Sequence, residues 1–312
     1  MIVTVTMNPA IDKTIEIEAL LPGGLNRIQK VEYDAGGKGI NVSKTIHELG
    51  GSSIAVGFLG GNAGKTIESV LNEWGINNDF IWVRGETRTN TKVYEKSGAL
   101  TELNEPGPQI SKEQQEELVK KLEGYANEET LFVLAGSIPN GVDKQIYSEI
   151  IPRVHAKGAK VLLDADGELF RNALKEKPDI IKPNRVELEE YFGFDYRVSM
   201  EELLEAARKL QAQGIETVAV SMGKSGAMMV REGYEVKCPA LSVKAHSTVG
   251  AGDAMVAALA YAWENKLGNE ETVRLCMAAS AGAVTTIGTK PPTRALVDEL
   301  LEQVVIEQIS AN

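Results

Sequence analysis

The sequence predicts an α/β fold, in which a mostly parallel central sheet has helices on both faces and a small second β-sheet forms a lid. Three observations lead to this prediction. Short apolar segments alternate with amphipathic helical segments along most of the 312 residues, as in parallel sheets covered by helices. Two segments, 13–33 and 88–105, break this rhythm. Hydrophobic residues make up 43% of the chain and charged residues 25%, which is enough for a sizeable core.

The predicted core elements follow one another from the N-terminus. Short runs rich in β-branched residues predict strands, whereas apolar residues three or four apart predict helices. The strands are Ile2–Thr6, Ser53–Phe58, Thr130–Leu134, Lys160–Leu163, Ile180–Lys182 and Thr217–Ser221. The helices are Ile40–Leu49, Thr66–Trp74, Gln114–Tyr125, Lys144–Lys157, Arg185–Phe192 and Glu201–Gln213. The alanine-rich segment from Gly252 to Ala283 indicates two further packed helices.

The two segments that break the rhythm predict a small antiparallel sheet. Polar and apolar residues alternate in Lys13–Ile17 and in Thr91–Tyr94, with no helix between neighbouring strands. We therefore divide the chain into an α/β core, residues 1–12, 34–87 and 106–312, and a β-sheet lid, residues 13–33 and 88–105. The apolar face of the lid needs a cover, which a ligand, a second subunit or both would supply.

Composition and charge argue against several classes of protein. The net charge of −11 disfavours nucleic-acid binding, although a local anion site remains compatible with it. Cys238 and Cys276 are too few for a disulfide framework or a four-cysteine zinc site, which fits a reducing cytosol. The N-terminus resembles a strand rather than a signal peptide, and Ala254–Trp263 is about half of the ~20 residues that a membrane span requires. We expect a cytoplasmic protein without a membrane partner.

The segment Thr248–Asp253, followed by an apolar helix, is the strongest candidate for a catalytic motif. Gly250 and Gly252 allow backbone N–H groups to converge, and the helix start adds unpaired donors and a positive dipole end. Together these groups predict an anion hole for a phosphate. The carboxylate of Asp253 lies in the first turn, where it can accept a proton from an attacking hydroxyl. A tight turn before an acidic helix start is the alternative interpretation.

A second glycine-rich segment, Ala35–Val42, also opens a helix. Its three glycines surround Lys38 and precede Asn41, so it offers backbone donors and one cation. A simple glycine turn between the small sheet and the core explains the same residues.

The pair Asn184 and Glu187 stands at i and i+3 in the first turn of a helix. Amide and carboxylate oxygens in this arrangement suit a hydrated Mg²⁺. The alternative is a capping box, in which the same two residues close the start of the helix.

The turn Ser221–Gly226 follows a predicted strand, so it could hold nucleotide phosphates, or it is a plain β-turn.

Two other segments resemble known motifs but lack their required residues. Gly60–Thr66 resembles a P-loop but has the wrong glycine spacing, and Asp164–Gly167 lacks the remaining ligands of a calcium loop. The latter segment is expected to end a strand near the edge of the active site. The three histidines, His47, His155 and His246, have no metal-ligand spacing.

Taken together, these motifs resemble the ribokinase/PfkB family of carbohydrate kinases. Gly36–Val42 resembles the first family signature and Ser247–Asp253 the second, while Asn184–Glu187 and Ser221–Gly226 match two more motifs in the expected order. The resemblance covers essentially the whole chain, including Asp12 after the first strand. It implies a ribokinase-like fold and an ATP-dependent sugar kinase.

Further segments resemble the branch of this family that phosphorylates hexose monophosphates, namely Asn8–Asp12, Thr87–Lys92 and Gly136–Pro139. Within that branch Ser247–Asp253 is most similar to kinases of fructose 1-phosphate, which implies phosphorylation of the 6-hydroxyl. Tagatose 6-phosphate and fructose 6-phosphate are the alternative substrates. A non-catalytic sugar-phosphate sensor would not need Asp253, and a dinucleotide-dependent oxidoreductase would need a G-x-G-x-x-G after the first strand.

The resemblance also implies a role for each site residue. Catalysis falls to Asp253 with the amides of Gly250, Ala251 and Gly252. The sugar phosphate is bound by Asp12, Arg27, Gly36, Gly37, Lys38, Asn41, Arg88, Asn90 and Ser137. ATP is bound by Lys182, Asn184, Ser221, Gly223, Gly226, Thr248, Gly250 and Ala279, the last beside the adenine. Asn184 and Glu187 hold Mg²⁺ through water in this interpretation. Separately, the apolar outer face of the lid suits pairing with a second subunit's lid, which predicts a homodimer.

Overall fold

A central sheet of eleven strands organises the computed structural model, which describes residues 1–309. The strands of this sheet run in the order β15-β14-β13-β12-β11-β10-β9-β1-β4-β5, and β6 pairs with the far end of β4. Their bounds are β1 Ile2–Thr6, β4 Ile54–Gly60, β5 Asn77–Asn78, β6 Ile81–Val83, β9 Leu131–Ala135, β10 Lys160–Asp164, β11 Ile180–Ile181, β12 Thr217–Ser221, β13 Ala227–Arg231, β14 Tyr234–Cys238 and β15 Glu307–Gln308.

The direction of the strands changes at one edge of this sheet. All pairings from β12 through to β5 and β6 are parallel, which confirms the mostly parallel sheet predicted from the sequence. Beyond β12, the strands β13, β14 and β15 add antiparallel pairings. This extension was not predicted. Its strands β13 and β14 form a hairpin, whose turn places Gly233 at a φ of 68°.

Ten helices within residues 1–309 cover the two faces of the central sheet. On one face Leu118, Ile146 and Leu203 pack against Val3 and other strand residues. On the other face Ile46, Val256 and Val273 pack against Ile2 and its neighbours. The helices are α1 Lys38–Glu48, α2 Gly61–Glu73, α3 Lys112–Tyr125, α4 Ile146–His155, α5 Gly167–Leu174, α6 Arg185–Phe192, α7 Met200–Ala212, α8 Ala251–Glu264, α9 Asn269–Ala283 and α10 Arg294–Leu301.

A separate four-stranded sheet stands beside the core, as the sequence predicted. Its order is β3-β2-β7-β8, with the bounds β2 Ala10–Ile17, β3 Lys30–Gly36, β7 Arg88–Glu95 and β8 Leu100–Asn104. The pairings of β3 with β2 and of β7 with β8 are antiparallel, as expected, but β2 and β7 pair in parallel. The prediction of an antiparallel sheet was wrong for this central pair, because the chain passes through core elements from α1 to β6 before β7 begins. Because side chains alternate across a strand, one face carries polar residues such as Asp12 and Asn90, whereas Val31, Tyr33 and Leu103 point the other way.

The segment that resembles a P-loop has a structural role. It joins the end of β4 to the start of α2, where the Glu86 carboxylate accepts a hydrogen bond from the Ala63 amide. That carboxylate satisfies a donor at the helix start, so a phosphate is not needed there. None of the helices formed by residues 1–309 has the length and apolar character needed to cross a membrane.

Candidate active site

A cavity of about 1130 Å³ lies between the carboxyl ends of the central strands and the polar face of the second sheet. Its floor includes Thr6, Ala135, Asp164 and Ser221, which end or follow four parallel strands. Ligands of open α/β sheets bind outside the carboxyl ends of strands, so this position is typical of a substrate site. The four-stranded sheet supplies the opposite wall.

The start of α8 forms an anion hole at the centre of the cavity. Gly250 is the N-cap residue and has a φ of 87°, a left-handed conformation that glycine adopts without strain. The amides that follow it have no intrahelical acceptor, because the first turn of any helix leaves its N–H groups unpaired. Gly252 lies beside a cation, since a Cβ added there would be 3.5 Å from Lys182 Nζ.

Asp253 is a buried carboxyl group in the first turn of α8. Asn41 Nδ2 donates a hydrogen bond to its Oδ2 at 2.8 Å, which links α8 to α1 across the cavity. Burial and the nearby negative charge of Asp164 raise the pKa of Asp253 to about 6, although Lys38 opposes the shift. A carboxyl group with a pKa near neutrality is suited to general base catalysis.

Two lysines converge on the buried carboxylate of Asp164 at the end of β10. Lys38 Nζ lies 3.3 Å from its Oδ2, and Lys182 Nζ lies 3.3 Å from its Oδ1. Burial favours the neutral acid, but the charges of Lys182 and Lys38 outweigh it and lower the pKa of Asp164. The result is a group of two cations and one anion beside the anion hole, where a transferring phosphoryl group would need positive charge.

Asn184 and Glu187 form a capping box at the start of α6. The Glu187 amide donates to Asn184 Oδ1 at 2.9 Å, and the Asn184 amide donates to Glu187 Oε2 at 2.8 Å. Both residues line the cavity, and burial raises the pKa of Glu187. The cap uses one carboxylate oxygen and holds the side chain in place, so Glu187 Oε1 is left for a ligand. Residues 1–309 contain no cluster of three or more acidic, histidine or cysteine side chains arranged for direct metal coordination.

The polar face of the second sheet supplies acceptors and donors at the other end of the cavity. Asn90 Nδ2 donates to Asp12 Oδ1 at 3.4 Å, and Lys92 Nζ lies 3.3 Å from Asp12 Oδ2. The amide oxygens of Asn41 and Asn90 are buried and have no hydrogen-bond partner among residues 1–309. A buried acceptor without a partner costs free energy, so these two oxygens are natural contacts for ligand hydroxyls.

Arg88 lies at the base of the second sheet and is held by the core. Its Nε and Nη2 donate to the carbonyl oxygen of Asn8 at 3.2 and 3.0 Å, and its Nη1 donates to that of Glu105 at 3.2 Å. Nη2 also lies 3.5 Å from Ser137 Oγ. The hydrogen-bond partners of the guanidinium are therefore neutral, but the carboxylates of Asp12 and Glu105 lie near enough to act on its charge.

The opposite end of the cavity combines a glycine turn with an apolar wall. The turn around Gly223 leads to Gly226, which has a φ of 89° and whose added Cβ would lie 1.8 Å from the carbonyl oxygen of Cys238. The polar residues Ser221, Lys224 and Thr248 line this end. The apolar part of the wall is formed by Leu241, Val243, Val249, Met277, Ala281 and Val284. A flat aromatic base with a phosphate tail fits such a surface.

The structure brings most of the predicted site residues into one cavity wall. They are Asp12, Gly37, Lys38, Asn41, Arg88, Asn90, Ser137, Lys182, Asn184, Glu187, Ser221, Gly223, Gly226, Thr248, Gly250, Ala251, Gly252 and Asp253. Their roles in binding and catalysis stay predictions. Lys92 and Asp164 are in the same wall and were not among the predicted site residues.

Three predicted residues are not brought to the cavity. Arg27 is exposed in the connection between β2 and β3, outside the cavity wall. Gly36 lies behind Asp12, because a Cβ added at Gly36 would be 2.6 Å from the Asp12 carboxylate. Ala279 is fully buried within the packing of α9, whereas its neighbours Ser280 and Ala281 line the cavity.

The sequence contains partial signals for Lys92 and Asp164. Lys92 follows Asn90 by two positions, and in a strand this spacing places both on one face with Arg88. Asp164 was expected to end a strand near the active-site edge, but no role was derived for it. Its importance depends on Lys38 and Lys182, which are distant in sequence and meet it only in the folded chain.

Known proteins resemble this chain over nearly its whole length. Residues 5–296 match the family model described as pfkB family carbohydrate kinase. The 1-phosphofructokinase of Haemophilus influenzae is 36% identical over 99% of this chain and 98% of its own, and that of Bacillus subtilis is 36% identical over 99% and 100%. A putative phosphofructokinase structure from Staphylococcus aureus has a TM-score of 0.87 and 34% identity, covering 100% of both chains. Phosphofructokinase-2 from Escherichia coli in complex with fructose-6-phosphate has a TM-score of 0.90 and 26% identity, covering 97% of this chain and 98% of that one.

Proposed function

The chain belongs to the pfkB family of carbohydrate kinases, and from that premise we propose that it phosphorylates the 6-hydroxyl of fructose 1-phosphate with ATP. The products are fructose 1,6-bisphosphate and ADP. The observation that carries the proposal is the buried carboxylate of Asp253, placed beside the anion hole of α8 and hydrogen bonded to Asn41 of α1. The choice of sugar is supported by relatives named 1-phosphofructokinase that match nearly the whole chain.

Asp253 acts as the general base in this proposal. Its carboxylate accepts the proton of the sugar's 6-hydroxyl as the oxygen forms a bond to the γ-phosphorus of ATP. The bond between that phosphorus and the bridging oxygen breaks, and ADP leaves with the electron pair. Asn41 keeps the carboxylate oriented through the hydrogen bond of 2.8 Å. Because phosphoryl transfer has a loose transition state, most of the remaining catalysis is positioning and charge stabilisation.

The anion hole stabilises the charge on the transferring phosphoryl group. The amides of Gly250, Ala251 and Gly252 point out of the start of α8, where the helix dipole also favours negative charge. Loss of one donor of this kind costs about 3 kcal/mol in other enzymes. Lys38 and Lys182 add positive charge at the edge of the hole, and Asp164 holds both of them.

Membership of this kinase family implies ATP as co-substrate and a divalent metal, for which we propose Mg²⁺. The donor set fits this ion, because Glu187 offers a free carboxylate oxygen in the cavity wall and Mg²⁺ prefers oxygen ligands and retained waters. When bound, Mg²⁺ neutralises charge on the phosphates of ATP. Glu187 would hold it through water, and the Asn184 amide fixes the Glu187 carboxylate within the capping box.

The two ends of the cavity divide the substrates between them. At the sugar end Asp12, Gly37, Asn41 and Asn90 bind hydroxyl groups, while Arg88 and Ser137 bind the ester phosphate. At the nucleotide end Ser221, Gly223, Gly226, Thr248 and Lys182 contact the phosphates of ATP, and the apolar wall receives the adenine. Arg27 and Ala279 do not line the cavity, so we assign the ester phosphate to Arg88 and Ser137 and the adenine to the apolar wall that includes Ala281.

The second sheet serves as a lid and as a dimer surface in this proposal. Its polar face closes the sugar end of the cavity, which excludes water that would otherwise hydrolyse ATP. Its opposite face exposes Val31, Tyr33 and Leu103 by 40%, 63% and 59%. Exposed apolar side chains on a sheet suit pairing with a second copy. One solved relative, phosphofructokinase-2 from Escherichia coli, is described as tetrameric in its inhibited form.

Release of ADP with a panel of sugar phosphates tests the proposed function. We expect the highest kcat/KM with fructose 1-phosphate, and lower values with fructose 6-phosphate and tagatose 6-phosphate. Fructose 6-phosphate is the second candidate, because a structural relative was solved in complex with that sugar. A higher kcat/KM with either 6-phosphate would show that this sugar, and not fructose 1-phosphate, is the preferred substrate. If none of the three sugars gave ADP release, the proposed kinase activity would be rejected.

A further inference from the structure

Lys92 is a buried lysine in the cavity wall that has no part in the proposed function. It lies on β7 on the same face as Arg88 and Asn90, because alternate residues of a strand share a face. Its side chain is 7% exposed, and Nζ lies 3.3 Å from Asp12 Oδ2. Across the sheet it is paired in register with Glu102, which is exposed and therefore screened by solvent.

Fold stability does not account for this buried charge. A buried ion pair adds little stability compared with well-packed apolar side chains, because both ions lose their hydration. An ammonium group also has three N–H donors. Within residues 1–309 the Lys92 ammonium has one acceptor, Asp12 Oδ2, so its remaining donors are available to a ligand in the cavity that it lines.

The neighbours of Lys92 present complementary acceptors in the same place. Asp12 Oδ1 receives only a long contact of 3.4 Å from Asn90 Nδ2, and Asn90 Oδ1 is buried without a partner among residues 1–309. The group thus combines an ammonium with free N–H donors, a carboxylate oxygen and an amide oxygen. A hydroxyl group both donates and accepts, so it satisfies an adjacent carboxylate and ammonium together.

We propose that Lys92 and Asp12 form one donor–acceptor pair that binds the secondary hydroxyl groups of the sugar. This inference rests on the proposed function, in which the sugar occupies this end of the cavity. Neutral hydroxyls fit the pair better than a phosphate does, because the two charges cancel and a phosphate dianion would meet the Asp12 carboxylate. Lys92 therefore sets affinity for the sugar and takes no part in proton removal, which belongs to Asp253 with Asn41.

Steady-state kinetics of Lys92→Met test the pair, with Lys92→Arg as the variant that keeps the charge. Lys96→Met is the matched control, because Lys96 follows the same strand, is 74% exposed and contacts Glu18 rather than the cavity. Loss of a hydrogen bond from a charged donor should raise the KM for the sugar phosphate about 10- to 100-fold. The KM for ATP should change less than about twofold, and Lys92→Arg should recover part of the loss.

Deoxy sugars separate hydroxyl recognition from a general structural effect. The 3-deoxy and 4-deoxy analogues of the preferred sugar phosphate should bind the wild-type protein more weakly than the parent sugar. With Lys92→Met, at least one analogue should bind as well as the parent, because the contact that it lacks is already lost. The proposal is overturned if both analogues lose as much affinity relative to the parent sugar in Lys92→Met as they do in the wild-type protein. An equal rise in the KM values for sugar and ATP overturns it too.

The double variant Asp12→Asn with Lys92→Met keeps the test decisive if the single variant folds poorly. Removing both charges avoids an unpaired buried ion, and the loss of sugar affinity should be close to that of Asp12→Asn alone. A loss of sugar affinity clearly larger than that of Asp12→Asn alone would contradict a pair that acts as one unit. The failure of the proposed function is a separate result, since it would appear as absent ADP release by the wild-type protein with fructose 1-phosphate.

Discussion

Replacement of Asp253 by asparagine removes the proposed base while it keeps the shape of the side chain. The asparagine carbonyl oxygen can still accept the hydrogen bond that Asn41 Nδ2 makes to Asp253 Oδ2 at 2.8 Å. General base catalysis contributes about 10²- to 10⁴-fold, so kcat with fructose 1-phosphate should fall by that factor. This corresponds to about 3 to 6 kcal/mol in the barrier, whereas both KM values should change only a few-fold.

The pH dependence of the wild-type protein supplies a second measure of the same group. Burial and the charge of Asp164 raise the pKa of Asp253 to about 6. The carboxylate is the active form, so kcat/KM should fall about tenfold per pH unit below pH 6 as the group becomes protonated. Coupled ADP-release assays between about pH 5 and 9 should show this acidic limb in the wild-type protein and not in Asp253→Asn.

The same shift predicts that Asp253→Asn stabilises the fold. The pKa of Asp253 is about 6 in the folded protein and 3.8 in the unfolded chain. Its raised pKa therefore leaves the free energy of unfolding unchanged below pH 3.8 and lowers it by the full amount above about pH 6. The difference is worth about 3 kcal/mol for a fully buried group. Thermal unfolding should therefore give a higher Tm for the variant at pH 8, and this advantage should shrink towards pH 4.

Asp298→Asn is the matched control for both measurements, because Asp298 is an exposed acid that pairs with Arg294 on α10. It should leave kcat, the acidic limb and the stability profile unchanged. If Asp253→Asn keeps turnover within a few-fold of the wild-type value, the assignment of the base is refuted. A variant that is less stable than the wild-type protein at pH 8 would refute the assigned cost of the buried carboxylate.

Three further substitutions test other parts of the proposal. Arg88→Ala should raise the KM for the sugar phosphate about tenfold or more and leave that for ATP nearly unchanged, and equal effects on both would remove Arg88 from the sugar site. Gly250→Ala should lower kcat and cost roughly 1–2 kcal/mol in unfolding free energy, because the φ of 87° strains alanine; an unchanged kcat would argue against the anion hole. Tyr33→Lys, on the exposed face of the lid, should halve the mass measured by light scattering; a monomeric wild-type protein would contradict the proposed dimer.

The sequence predicted the buried parallel strands best. Ile2–Thr6 and Thr217–Ser221 have the bounds that were expected, because short runs dominated by β-branched residues favour strands over helices. The antiparallel edge was missed. Glu307–Gln308 has only two residues, and Ala227–Arg231 has one β-branched residue, so both become strands through pairing with a neighbour that sequence alone does not reveal.

The candidate site was predictable where the motif is local. Gly250, Gly252 and Asp253 lie within four residues, and one turn of backbone fixes their relation. Residues whose role depends on tertiary contacts were harder to recognise. Asp164 becomes notable only because Lys38 and Lys182 both reach it, and Ala279 was placed beside the adenine although the packing of α9 buries it.

The alternation of side chains along β7 limits which changes of strand register the protein can tolerate. Its even-numbered residues Arg88, Asn90 and Lys92 face the cavity, and its odd-numbered residues belong to the opposite, outer face. A shift of one residue would exchange the two sets completely, because side chains alternate with a period of two. The residues that face the ligand and those that form the outer surface of the lid therefore alternate along one eight-residue strand. A change of register would move both sets at once.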